Sequence, residues 1–179
     1  MKEQDVKIKG SISKEVIDTL IGLMQDVIGE KAVKIVLNGI NVGEGAKGKD
    51  IVYAFAESTT NILSKKASFA ILRQVGRELA LVIMSKHDET DWEFVLETTL
   101  NDLGFAQKIL KEEKQAFICN CVFYSILQSN GLNPIEHSVY WTGWGFIEGF
   151  MRELKNIKAI QWVHRDVVNN RCQFDYIEK

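Results

Sequence analysis

The apolar residues of this 179-residue chain change their spacing near Gly104, and that change decides the fold class. Before it they recur every three or four positions, the period of a helix with one buried face. After it they fall into short blocks bounded by turn residues, as strands do. From Ser13, a first helical stripe runs through Val16, Ile17, Leu20, Leu23, Met24, Val27 and Ile28 and is closed by Gly29. A second, over residues 68–86, runs through Phe69, Leu72, Val75, Leu79, Val82 and Ile83. A third begins at Thr90, which has Glu93 at capping-box spacing, and continues through Trp92, Val95, Leu96, Thr99 and Leu103. Residues 31–42 are apolar but too short to assign between helix and strand. The glycine-rich residues 43–49 read as a mobile loop.

Beyond Gly104, residues 105–110 and 115–124 read as strands joined by the charged turn Lys111-Glu112-Glu113-Lys114. Residues 158–165 and 171–177 read as two more, with Asn169-Asn170 as their hairpin turn. Between the pairs, Ile147, Phe150, Met151 and Leu154 mark a helix, on which Glu148 stands four before Arg152. The expectation is a single α+β domain over residues 1–179, with N-terminal helices packed on an antiparallel sheet that carries one inserted helix.

Composition narrows the function class. Hydrophobic residues make up 46% and charged residues 26%, ordinary globular values. A net charge of −2 gives no basic footprint for nucleic acid and no polybasic face for anionic lipid. The longest apolar run, residues 79–84, falls far below the roughly 18 residues of a membrane span. Three cysteines, an odd number, fit a reducing compartment better than a disulfide framework. With no secretory pattern at Met1 to Asp5, the expected location is cytoplasmic. The glycines at 39, 43, 45 and 48 lack the Gly-Lys-Ser/Thr ending of a phosphate loop. Nor is any nucleophile tied to a base by a motif: His87 sits in a hydrophilic stretch, and His164 and Asp166 share a strand face without a partner Ser or Cys. No catalytic residue is therefore assigned.

Gly145 and Gly149 lie four apart on the inserted helix, and Cys172-Gln173-Phe174 follows in the last strand. His164 stands eight positions before Cys172, and Leu72-Arg73-Gln74-Val75-Gly76-Arg77-Glu78-Leu79 lies upstream. In order and spacing these elements, over roughly residues 58–178, resemble the vinyl-4-reductase, hydrocarbon-binding domain family. The resemblance implies the α+β fold shared with nitric-oxide-signalling and Golgi-transport ligand-binding domains. It also implies an apolar pocket between helices and sheet, pairing as a homodimer and, in some members, a structural zinc.

Carried over by position, the zinc ligands of such relatives become Tyr140, Gln161, His164 and Cys172. Zinc favours thiolate, imidazole and carboxylate, so Tyr140 and Gln161 do not suit it and no metal is assigned. A rebuilt set of Cys121, His137, His164 and Cys172 has the right chemistry if the chain brings the four together. Cys119 and Cys121, two apart on an expected strand, would share a face, and the cysteines could equally be small buried hydrophobes. His164 and Cys172 share a face only if their hairpin turn holds an odd number of residues. The aromatic patch supplies the expected pocket residues: Trp141, Trp144 and Phe150.

The preferred reading is a sensory or carrier domain that binds a small hydrocarbon or aromatic molecule without catalysing a reaction. One alternative is an accessory protein of a vinyl-reducing or tetrapyrrole pathway. The other is a structural protein-interaction subunit with a closed pocket. A hollow apolar cavity of a few hundred Å³ speaks for the first, and a side-chain-filled one for the last.

Overall fold

The computed structural model describes residues 14–40, 48–103, 105–112, 115–154 and 157–179, and these form an α+β domain of seven helices and a four-stranded antiparallel sheet. Helix α1 (Lys14–Ile28) stops at Gly29, whose φ of 84° lies in the left-handed region that glycine enters without a side-chain clash. The chain turns there directly into α2 (Glu30–Asn38), so the ambiguous apolar stretch is helical to Asn38. Val33 and Val36 are its buried residues, three apart as helical spacing requires. Of the expected loop over 43–49, residues 43–47 lie outside the described residues, and Gly48 and Lys49 open α3 (Gly48–Ile62). Helix α4 (Lys65–Met84) starts at Ser64, whose hydroxyl accepts the Ala67 N–H at 3.3 Å. A 3-10 turn at Glu89–Asp91 leads into α5 (Trp92–Leu103). The Trp92 indole N–H donates to the carbonyls of Met84 and His87, fastening α5 to the end of α4. The Glu93 carboxylate accepts from Lys111 Nζ, across to the first strand.

The strands are β1 (Lys108–Lys111), β2 (Gln115–Cys119), β3 (Ile157–Asp166) and β4 (Arg171–Glu178), in the order β1-β2-β4-β3. Two helices are inserted between β2 and β3, not one: α6 (Val122–Ser129) and α7 (Ser138–Leu154). The expected strand over 115–124 is cut at Asn120, whose φ of 55° turns the chain out of the sheet. Cys121 then caps α6, its sulfur accepting the Tyr124 N–H at 3.4 Å. Cys119 and Cys121 therefore do not share a strand face.

The N-terminal helices reach the sheet principally through α7, which lies between α4 and the strands; α5 also touches β1. The α4–α7 contact is close because its crossing points are glycines. A Cβ on Gly145 would stand 2.0 Å from the Arg73 carbonyl oxygen, and one on Gly76 would stand 2.2 Å from the Thr142 carbonyl oxygen. One on Gly149 would meet the Ala80 Cβ at 2.7 Å. The close backbone packing expected of the glycine pair is thus against α4. Glu148, 5% exposed, faces the same way: its Oε2 accepts from Arg77 Nε at 2.7 Å and Arg73 Nε at 3.2 Å. Instead of the expected pair with Arg152 on the helix surface, Glu148 ties α7 to two arginines of α4.

The hairpin between β3 and β4 has four turn residues, 167–170, rather than two. Hydrogen bonds from Asn169 to Asp166, then the neighbouring Arg171, hold that carboxyl down to about 2. With four residues in the turn, Arg165 opposes Cys172 and His164 opposes Gln173. Among the described residues no helix is long and apolar enough to cross a membrane.

Candidate functional site

A small cavity lies where the sheet-facing side of α7 meets β2, β4 and the start of α6. Its wall from α7 is Val139, Tyr140, Gly143, Trp144 and Ile147, one face of the helix at steps of three and four. The opposite wall is Phe105, Ile118, Phe123, Cys121 and Cys172. Each element delivers its residues for a local reason. Alternation along the sheet puts Ile118 and Cys172 side by side, since they are register partners across β2 and β4. The break at Asn120 brings Cys121 and Phe123 back under the sheet as the first turn of α6. Trp144 meets Phe174 of β4 edge to face, with ring centroids 5.7 Å apart. Phe105 is wedged between Phe123 at 5.6 Å and Phe146 at 5.9 Å.

The cavity volume is about 30 Å³. That admits roughly one or two water-sized bodies, well below the ~150 Å³ that holds a benzene ring. The wall is almost wholly apolar, and its polar groups are the thiols and the Tyr140 hydroxyl. Burial pushes the Cys121 thiol up to about 11, so it faces the cavity uncharged at neutral pH. Burial, and then the neighbouring Cys172, raises the Tyr140 hydroxyl well above its ordinary value. Tyr140 Oη lies 3.7 Å from Cys172 Sγ, and Arg165 Nη1 donates to the same sulfur at 3.4 Å. The Arg165 guanidinium is laid on the Tyr124 ring, 3.6 Å from its centroid, and also reaches Asn170.

The aromatic patch divides between two sides of α7. Trp144 lines the cavity. Trp141, three positions earlier, does not: it turns toward α4, lies beside Phe69 and Arg73, and donates its indole N–H to the Ile135 carbonyl at 2.9 Å. Phe150 is fully buried against Phe146 and stands in the core beyond the cavity wall. Of the wall residues, only Trp144 was singled out from the sequence as a pocket residue; Tyr140, Phe105, Phe123 and the two cysteines are among those that were not. The four-step spacing of Tyr140 and Trp144 was the available signal for the first of them.

The rebuilt metal set does not assemble. Cys121 and Cys172 share the cavity, but His164 is exposed and its register partner Gln173 places it on the other face of the sheet from Cys172. His137 is spent elsewhere, between Glu57 and the α7 backbone. Among the described residues no three His, Cys, Asp or Glu side chains are grouped to hold a metal ion. At the positions carried over from zinc-bearing relatives, Gln161 is exposed and Tyr140 packs against Cys172.

Compared with known proteins, the chain matches no family model, no curated protein and no solved structure.

Proposed function

We propose that this chain is a binding domain of the vinyl-4-reductase, hydrocarbon-binding kind, holding a small apolar molecule between α7 and the sheet without transforming it. The observation that carries the reading is the cavity wall: six apolar side chains, two thiols and a tyrosine converge on one point from α7, β2, β4, the start of α6 and the connection between α5 and β1. Such convergence of apolar groups with a few polar ones is the usual form of a small-ligand site. The volume sets a condition on the guest. At about 30 Å³, a hydrocarbon or aromatic ligand enters only by displacing wall side chains, with Phe105 and Trp144 the largest of them. A tetrapyrrole far exceeds this space, which weighs against the accessory-protein alternative.

The small volume favours a second reading, in which the pocket is permanently filled and the chain is a structural interaction subunit, paired as a homodimer. One experiment separates the two. Native mass spectrometry of freshly purified protein, followed by titration with toluene or indole monitored by NMR, reads both retained and added ligand. Retained mass, or saturable shifts at Trp144 and Ile118, supports the binding reading. A dimer with no retained mass and no shifts overturns it in favour of the structural one.

A further inference from the structure

His137 stands immediately before α7 and is 8% exposed, with both ring nitrogens engaged. Nδ1 accepts the Val139 backbone N–H at 3.2 Å, the bond an N-cap side chain makes. An acceptor nitrogen carries no proton, so in a neutral ring Nε2 carries it and donates to Glu57 Oε1 of α3. The ring is also stacked on Tyr53 of α3, centroids 5.4 Å apart and nearly parallel at 6°. This fixes one tautomer and one ring plane, and makes the imidazole a bridge from α3 to the first turn of α7.

We infer that this bridge is a proton-operated clasp on α7. A second proton can go only to Nδ1, where it turns an acceptor into a donor facing the Val139 N–H. The cationic ring then keeps Glu57, which it pairs with more strongly, and lets go of α7. The surroundings point the same way. From α3 the ring meets Glu57 and Tyr53, and from its own 3-10 turn (Pro134–Glu136) the nearest charge, Glu136, is taken by Lys65 of α4. Helix α6, packed against that turn, carries no charged side chain, and the nearest ionisable group on α7 is Tyr140. The positive end of the α7 dipole opposes the cation, while Glu57 supports it. Acidification therefore exchanges the α7 cap for an ion pair to α3. Ser138 stays tied, its hydroxyl donating to the Ala56 carbonyl at 3.1 Å and lying 2.7 Å from Thr60 Oγ1, so the release is local. It falls on Val139 and Tyr140, which line the cavity. The clasp stands whether or not the cavity takes a ligand.

The test uses the full chain labelled with 15N, followed by NMR from pH 8 to pH 5. The result expected at pH 8 is an Nε2–H neutral tautomer for His137. As that ring titrates, the hydrogen-exchange protection factor of the Val139 amide should fall about fivefold, the loss of one cap. Two variants fix the cause. His137→Asn keeps a cap acceptor and cannot titrate, so Val139 protection stays flat. Glu57→Gln keeps a hydrogen-bond acceptor but not the anion, so the transition moves to lower pH. Unchanged Val139 protection through the His137 titration overturns the clasp. So does the same transition persisting in His137→Asn, or a transition left in place by Glu57→Gln.

Discussion

The two sides of α7 are packed on opposite principles. Toward α4 the helix presents Gly145, Glu148 and Gly149, and the backbones approach until no methyl group fits. Toward the sheet it presents Tyr140, Gly143, Trp144 and Ile147, large and small side by side, and leaves a cavity of about 30 Å³. The glycine contact specifies one geometry, because a Cβ added at Gly145 or Gly76 meets a backbone carbonyl that cannot move away. Aromatic packing around a void tolerates more than one arrangement, because rings can turn into the space. The α4 side thus fixes where α7 sits, and the sheet side is where the molecule can yield to a guest.

The largest effect expected from breaking this contrast is at the cavity. Trp144→Ala should cost about 3–4 kcal/mol of unfolding free energy in urea denaturation, within the range for large core truncations. The enlarged void should bind toluene more tightly than the natural chain does, read by NMR titration. On the other side, Glu148→Ala strands two arginines of α4. Because Arg73 and Arg77 keep roughly a third of their side-chain surface, the expected cost is nearer 2 kcal/mol than the full penalty of a buried orphan charge.

Alkaline pH should loosen the sheet side first. Cys121 is raised to about 11 against an ordinary 9.0, and Tyr176 to about 12 against 10.0, both chiefly by burial. The unfolded chain releases these protons at the ordinary values while the fold retains them. Their contribution to stability is complete below pH 9 and is lost as the pH rises through about 11 to 12. Urea midpoints measured from pH 8 to pH 11 should therefore fall. Cys121→Ser, which keeps a cap for α6 and does not titrate, should show a shallower decline. A smaller effect concerns alkylation: at pH 8 iodoacetamide should leave Cys121 unmodified in the folded chain and modify it after denaturation, read by intact mass.

Much of this contrast was legible in the sequence. The stripes of α1, α4, α5 and α7 stand at helical spacing, and the Gly145–Gly149 pair announced a close contact. Its partner was not legible, because the fit depends on Gly76 and on the two carbonyls at Arg73 and Thr142, which only the crossing of two helices brings together. Helix α6 was hidden because Phe117, Ile118, Phe123 and Tyr124 suit a strand equally well. The deciding feature, a left-handed Asn120 followed by a capping cysteine, is a matter of two backbone angles. In the patch at 141–150, aromatic character at neighbouring positions does not say which side of the helix is hollow. Trp144 and Trp141, three apart, fall on different sides. The clasp at His137 joins residues 80 apart in the chain, and nothing local to either marks the pair.

The comparison between the two sides is tested most directly by two equal substitutions on one helix. Gly143→Ala directs its methyl at the Phe105 ring, 2.8 Å from Cδ1, and that ring borders the cavity and can turn into it. Gly145→Ala directs the same methyl at the Arg73 carbonyl, 2.0 Å away, where only a shift of one helix makes room. Unfolding free energies of the two variants should differ by about 2–3 kcal/mol, with Gly143→Ala close to the natural chain, helped by alanine's better helix propensity. Equal losses in both, or a larger loss at Gly143, would contradict a rigid α4 side and a yielding sheet side.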